Sequence, residues 1–255
     1  MNQLVAMPDK EYFAMEALSN SGMKKILQSP LHFKRGDSDF SESKAMRLGT
    51  AVHQLLLEPD HVNVKVWTEG AGLTSKEAKA FIEDHPAHRV VTQKEYETAE
   101  KIRETLMDNE IINGIISHPG AKKEIVGLVE TDGVKKKAKA DLLNESLGLL
   151  LDLKTTGDLH NFERSIFKYR YDLQEAFYSD LFGHFMPIKT FVFLAVETAP
   201  PYDHRFFTLN PEVRENANKD IARATAIYKT CTATNFWPGY SDEIVEVGLP
   251  TWMVK

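Results

Sequence analysis

Three side chains stand out by type and spacing. Asp141 ends a lysine-rich stretch, and Asp152 and Lys154 lie two apart within Leu149-Leu150-Leu151-Asp152-Leu153-Lys154-Thr155-Thr156. This apolar run, bounded by Asn144-Glu145-Ser146 and by Gly157-Asp158, predicts a buried central strand. Side chains two apart on a strand share a face, so Asp152 and Lys154 project together while Leu151 and Leu153 face the other way. Burying a carboxylate and an ammonium without recompense costs roughly several kcal/mol, so such a pair serves a bound ion, a substrate or a mutual salt bridge. A short turn returns the chain antiparallel and carries Asp141 toward Asp152, with the register left open. Two carboxylates beside a lysine suit a hard cation such as Mg²⁺, which takes oxygen ligands and often bridges to phosphate. The lysine then acts on the attacking water or on the phosphate. Asp-x-Lys by itself reads as an internal salt bridge of a sheet; the three residues with their flanking elements favour the site.

Those flanking elements are legible from periodicity and turn chemistry. A strand from Glu124 to Thr131, the hairpin signal Asp132-Gly133 and a returning strand from Val134 to Asp141 precede the central strand. On the returning strand Lys135, Lys137, Lys139 and Asp141 share a face if no bulge intervenes, a row suited to a phosphate backbone. Ser43 to Glu58 predicts a helix closed by Pro59, with Met46, Gly49, His53 and Leu56 along one side and Gly49 permitting close approach. A lone histidine there reads as a core residue, although imidazole can complete a metal site. Phe162 to Phe185 reads as one long helix that places Gln174 and Tyr178 on one face.

The rest reads as scaffold. A short helix starts at Asn20 or Ser21 and stops before Pro30, and Ser29-Pro30 caps a second. Capping boxes at Thr74-x-x-Glu77 and Thr92-x-x-Glu95 start two more helices, the second running to about Met107. Strands follow at Thr190 to Val196 and Arg205 to Leu209, around Pro200-Pro201-Tyr202-Asp203. A last helix runs from Asn210-Pro211 to Thr230, and Trp237-Pro238-Gly239-Tyr240 forms a closing turn. Residues 1 to 18 give no periodic pattern.

With 255 residues, 42% of them hydrophobic, the chain can bury a full core as one large domain with an elaborated N-terminal part. No segment approaches the length of a membrane span and Met1 to Lys10 lacks a signal-peptide pattern, which predicts a soluble cytoplasmic protein. The single cysteine, Cys231, excludes internal disulfides, a multi-cysteine zinc site and a cysteine-ligated iron-sulfur cluster within one chain. A net charge of −6 argues against indiscriminate coating of nucleic acid. Residues 121 to 140 are locally basic all the same, as is the entry segment with Lys24, Lys25, Lys34 and Arg35.

Taken together, Ser29-Pro30, Gly49-x-x-x-His53 with Leu57-Glu58-Pro59, Asp141, Asp152-Leu153-Lys154-Thr155-Thr156, Gln174-x-x-x-Tyr178 and Trp237-Pro238-Gly239-Tyr240 resemble the PD-(D/E)XK nuclease superfamily. The resemblance is strongest to its RecE-like branch (exonuclease VIII type), the double-strand exonucleases of phage-type recombination. It spans roughly residues 19 to 240 and implies an α/β fold, a restriction-endonuclease-like core with a mixed central sheet flanked by helices. The chain is then a single nuclease domain, mainly helical over 1–118, with a catalytic core over 119–240 and a tail over 241–255. Asp141 and Asp152 are implied as metal-binding acids and Lys154 as the catalytic lysine. His53 becomes a further metal ligand, Gln174 with Tyr178 the helical motif beside the site, and Glu124 another acid. The backbone carbonyl of Leu153 joins the metal ligands, and Mg²⁺ is the expected cofactor, with Mn²⁺ as a substitute. Also implied are 5′-to-3′ digestion of duplex DNA in a bacterial host cell, a ring-shaped homo-oligomer and a single-strand annealing protein as partner. An endonuclease of the same superfamily and a catalytically silent DNA-binding or assembly module compete with this assignment. Ala140 stands where the superfamily's name has proline, a residue that supplies no ligand.

Overall fold

A computed structural model describes residues 2–36, 42–70, 72–86, 88–249 and 253. Its strands are β1 (Gln3–Ala6), β2 (Val64–Trp67), β3 (Arg89–Thr92), β4 (Ala121–Thr131), β5 (Val134–Asn144), β6 (Leu149–Thr156), β7 (Thr190–Glu197) and β8 (His204–Phe207). Its helices are α1 (Asp9–Ala14), α2 (Asn20–Gln28), α3 (Pro30–Arg35), α4 (Lys44–Leu57), α5 (Lys76–Asp84), α6 (Gln93–Asp108), α7 (Glu110–Ile116), α8 (Phe162–Lys168), α9 (Tyr171–Gly183) and α10 (Pro211–Thr234). Six strands form one sheet in the order β1-β4-β5-β6-β7-β8, and β2 and β3 pair separately in parallel. Only β6 and β7 run parallel in the large sheet, which requires a crossover, and α8 with α9 supplies it. The α/β class and the mixed, helix-flanked sheet are therefore as the sequence predicts.

β6 lies inside because both its faces are apolar. Leu151 and Leu153 join Leu142, Leu194 and Val196 in the core beneath α4, α6 and α7, while Leu150 joins Leu143, Phe191 and Phe193 in the core shared with α2, α9 and α10. Burying one such side chain fully contributes about 1.5–3 kcal/mol, so a one-residue slip of β6 would drive Asp152 and Lys154 into an apolar core and is strongly disfavoured. The helical layer of α4 and α6 is held by polar ties as well. Thr92 and Glu95 complete a capping box at the start of α6, and Glu95, itself buried, receives Arg47 of α4 at 2.9 Å.

Several boundaries differ from the sequence expectation. The helix predicted over Phe162 to Phe185 is two helices, α8 and α9, broken at Tyr169-Arg170, where Arg170 takes a left-handed conformation with φ 55°. Its guanidinium bonds Asp172 at 3.1 Å and Asp220 of α10 at 2.6 Å, ion pairs that hold the break and that periodicity cannot reveal. The cap of α5 is Ser75, not Thr74, because Ser75 accepts the Ala78 N–H at 3.1 Å. β5 continues to Asn144, and β1, α1, β2, β3 and α7 had no clear signal. β1 is extended because it adds to the edge of β4, from Gln3 opposite Leu128 to Ala6 opposite Ile125.

Gly127 of β4 marks a close approach of α9 to the sheet. A Cβ at this position would lie 2.5 Å from Leu181 Cδ2 and 3.0 Å from Phe182 Cε1, both of which are fully buried. Gly127→Ala is expected to cost about 1–3 kcal/mol through overpacking. Urea unfolding reads this as a lower midpoint at unchanged slope, and an unchanged midpoint would disprove the tight contact.

Candidate active site

The site forms where β5 and β6 stop pairing. Their ladder runs from Asn144 opposite Leu149 to Leu142 opposite Leu151 and ends there. Beyond it the Asp141 side chain takes over: its Oδ2 accepts the Leu153 N–H at 2.8 Å, which satisfies a backbone donor that the ladder no longer reaches. On β6, Asp152 is 3% exposed and holds Lys154 in an ion pair through Oδ2. Gln174 of α9 donates Nε2 to the other oxygen, Oδ1, at 2.5 Å. Both carboxylate oxygens are thus engaged, and Lys154 Nζ also lies 4.8 Å from the ring centre of Tyr171.

α4 and β4 close the other side. Gly49 brings α4 against β6, since a Cβ there would sit 3.2 Å from Thr155 Oγ1. One turn later His53 reaches the strand, with Nε2 at 3.0 Å from the Leu153 carbonyl and Nδ1 at 3.5 Å from Asp141 Oδ2. A neutral ring that donates through Nε2 keeps its lone pair on Nδ1, facing Asp141. Glu124 stands opposite Asp141, between the pairs Lys123–Leu142 and Ile125–Ala140, at a left-handed kink with φ 50°. Donor atoms of His53, Glu124 and Asp141 all lie within 4.8 Å of one another.

Burial and mutual repulsion dominate the electrostatics. Burial, then the charge of Asp152, pushes Asp141 up to about 8, and burial with the charge of Asp141 pushes Glu124 up to about 7. Burial lowers His53, so its ring is neutral and able to act as a ligand. Burial alone would lower Lys154, but Asp152 and Asp141 outweigh it and raise it, so the side chain is an ammonium. Two carboxyls that resist joint ionisation, a neutral imidazole and a backbone carbonyl form a donor set that fits a divalent cation, because an added positive charge relieves the repulsion.

Every site residue expected from the sequence has a definite place. His53, Glu124 and Asp141 converge, His53 bonds the Leu153 carbonyl, and Asp152, Lys154 and Gln174 form the adjoining polar chain. Tyr178 stands one turn past Gln174 among the rings of Phe177, Phe182 and Phe191, with a hydrogen bond from the Lys139 backbone. It braces β5 rather than reaching Asp152. The lysine row is not a free basic track. Lys135 is exposed, but Lys137 is buried and donates to the Tyr12 and Met15 carbonyls at 2.6 and 2.7 Å. Lys139 is shared between Asp9 at 2.7 Å and Glu124 at 2.6 Å. The N-terminal segment, which has no helical or strand period, thus anchors the one and helps position the other. A further cation also joins the site: half-buried Lys24 of α2 donates to the Tyr169 carbonyl at 2.6 Å and lies 5.6 Å from the Tyr171 ring centre. Burial and the neighbouring Lys154 lower its pKa to about 8. The basic entry segment was the only sequence signal for it.

His53 admits a decisive substitution. His53→Ala is expected to weaken Mn²⁺ binding roughly tenfold or more in calorimetry, while stability in chelator falls by less than about 1 kcal/mol. Lost stability at unchanged Mn²⁺ affinity would make His53 a packing residue.

Among solved structures, the chain is similar to a candidate exonuclease from Eubacterium rectale, with TM-score 0.66, 16% identity, and coverage of 96% of this chain and 97% of that one. At that identity the likeness shows the fold. A phage-related exonuclease from Haemophilus somnus 129PT aligns over 89% of this chain and all of its own at 12% identity, with TM-score 0.39. No curated protein matches. Residues 19–247 match the model of a family described as a PDDEXK-like domain of unknown function (DUF3799), and the chain belongs to that family.

Proposed function

We propose that the chain is a metal-dependent deoxyribonuclease, a 5′-to-3′ exonuclease acting on double-stranded DNA in phage-type recombination. The single observation that carries the hydrolytic part is the buried Asp152–Lys154 pair, braced by Gln174 and set beside the convergent His53, Glu124 and Asp141. Family membership and the fold point the same way. The exonuclease polarity, a ring-shaped homo-oligomer, a single-strand annealing partner, the bacterial cytoplasm and one nuclease domain over 1–255 rest on the resemblance to the RecE-like branch.

In this mechanism Asp141, Asp152 and the Leu153 carbonyl would hold Mg²⁺, or Mn²⁺ in its place, with His53 and Glu124 completing the donor set. A bound divalent cation supplies positive charge against the scissile phosphate and a more acidic water. Lys154 presents its ammonium to a phosphate oxygen and to the attacking water, where preorganised charge is most effective. Gln174 keeps Asp152 oriented, and Lys139 keeps Glu124 turned toward Asp141. Among the described residues no helix is long and apolar enough to cross a membrane.

Linear and covalently closed circular duplex, each with Mg²⁺ and with chelator, test the proposal. Linear DNA is expected to shorten from its ends, circular DNA to survive, and chelator to stop the shortening. Cleavage of the circle would make the protein an endonuclease of the same fold. Inertness of the folded protein on both, with Mg²⁺ or Mn²⁺, would leave a silent DNA-binding module.

A further inference from the structure

Two aromatic side chains are exposed around the break between α8 and α9, and one of them, Tyr169, adjoins the site. Phe167 is 55% exposed and Tyr169 is 50% exposed, so both rings are open to a partner. Phe167 makes no ring–ring contact among the described residues, and Tyr169 leans on Tyr171 at 5.8 Å between ring centres. Tyr171 in turn lies beside Lys154, and the Tyr169 carbonyl holds Lys24. The elbow is thus continuous with the cations of the site. It is also preorganised, because Arg170 is fixed in its left-handed conformation by Asp172 and Asp220.

We infer that this elbow is a nucleobase platform: Phe167 and Tyr169 stack on unpaired bases of the DNA strand whose phosphate lies at Lys154. The inference rests on the nuclease function proposed above and adds the form of DNA that the site engages. Charge complementarity selects nucleic acid as the occupant, since exposed Arg164 and Lys168 lie one helical turn apart on α8 and flank Phe167, with Lys24 behind. The faces of a paired base are hidden in the duplex stack, so only an unpaired or terminal base can lie on these rings. Without DNA, Lys168 Nζ sits over the Tyr169 ring at 5.2 Å. An exposed cation–π contact is worth about 0.5–1 kcal/mol, against about 1–3 kcal/mol for a base on an aromatic ring. A base therefore displaces Lys168, which is then available for the next phosphate.

The test uses full-length protein carrying Asp152→Asn, so that DNA survives. Fluorescence anisotropy compares linear duplexes whose last few pairs are matched, mismatched, or replaced on one strand by abasic residues. The mismatched end is expected to bind roughly tenfold tighter than the abasic one. Phe167→Ala with Tyr169→Ala is expected to abolish that preference and leave matched-end affinity within about threefold. As a readout independent of affinity, 2-aminopurine at the unpaired position is expected to be quenched on binding by the parent and not by the double variant. A base preference that survives the double substitution, or parent protein that does not distinguish mismatched from abasic ends, overturns the platform alone. A double variant that keeps the preference but changes its sedimentation would make the elbow a contact between copies of the chain, also overturning it. DNA binding to none of the substrates would bring down the nuclease function itself.

Discussion

Lys154→Ala is expected to lower the rate of linear-duplex degradation at saturating Mg²⁺ by about a hundredfold to a thousandfold, the range seen when one preorganised charge at a reacting centre is removed. Asp152→Asn should fall at least as far. Both residues also bear on stability, because Asp152 is 3% exposed and pairs with Lys154. Removing the lysine alone strands a buried carboxylate, at a cost of up to about 3–5 kcal/mol unless it takes up a proton. Combining Asp152→Asn with Lys154→Met removes both charges at nearly constant shape, so stability in chelator should return to the parent value or above it. Activity should stay lost. The contrast separates a catalytic pair from a structural salt bridge: if cleavage recovers along with stability in the double variant, the catalytic assignment is wrong.

The metal-free protein should lose stability as pH rises through the neutral range. Asp141 is raised from 3.8 to about 8, first by burial and then by Asp152, and Glu124 from 4.5 to about 7, by burial and then by Asp141. In both cases the folded state holds a proton that the unfolded state releases. The stability these groups allow is therefore complete below their unfolded values and declines from about pH 4 to about pH 8. A difference on the order of 2–3 kcal/mol is expected across that window, since a tenfold difference in proton affinity between the folded and unfolded chain corresponds to about 1.4 kcal/mol before the partial exposure of both groups is allowed for. Asp141→Asn should flatten the decline and raise the melting temperature in chelator at the alkaline end, while removing the stabilisation that Mg²⁺ or Mn²⁺ gives the parent. Thermal melts of both proteins across pH, with and without metal, measure this. Parallel curves for parent and variant would show that Asp141 ionises freely and that the cluster is not strained.

Much of the catalytic core was legible in the chain itself. β6 was predicted with its observed bounds because a run of leucines broken only by Asp152 and Lys154 has one consistent placement, buried on both faces with the charges on a shared side. The Asp132-Gly133 hairpin, the capping box at Thr92 and the Ser29-Pro30 start of α3 were legible for the same kind of reason, since their chemistry acts over a few residues. The spacing of Gly49 and His53 put an imidazole one turn beyond a glycine that permits close approach, and the structure shows that the approach is to Thr155 of β6.

Local pattern does not reach beyond such spans. The helical period continues without a visible fault through Tyr169-Arg170, and what breaks it is an ion pair from Arg170 to Asp220, fifty positions along the chain. Lys135, Lys137 and Lys139 look alike in sequence, yet α1 makes one a buried anchor and another a holder of Glu124. Nor does any feature near Lys24 connect it with Lys154. The sequence by itself determined the strand that carries Asp152 and Lys154, the hairpin that leads into it and the residue types available for metal and phosphate. The tertiary structure alone decided which of those groups meet, because strand register, helix docking and the partition of cations among carboxylates depend on contacts between residues far apart in the chain.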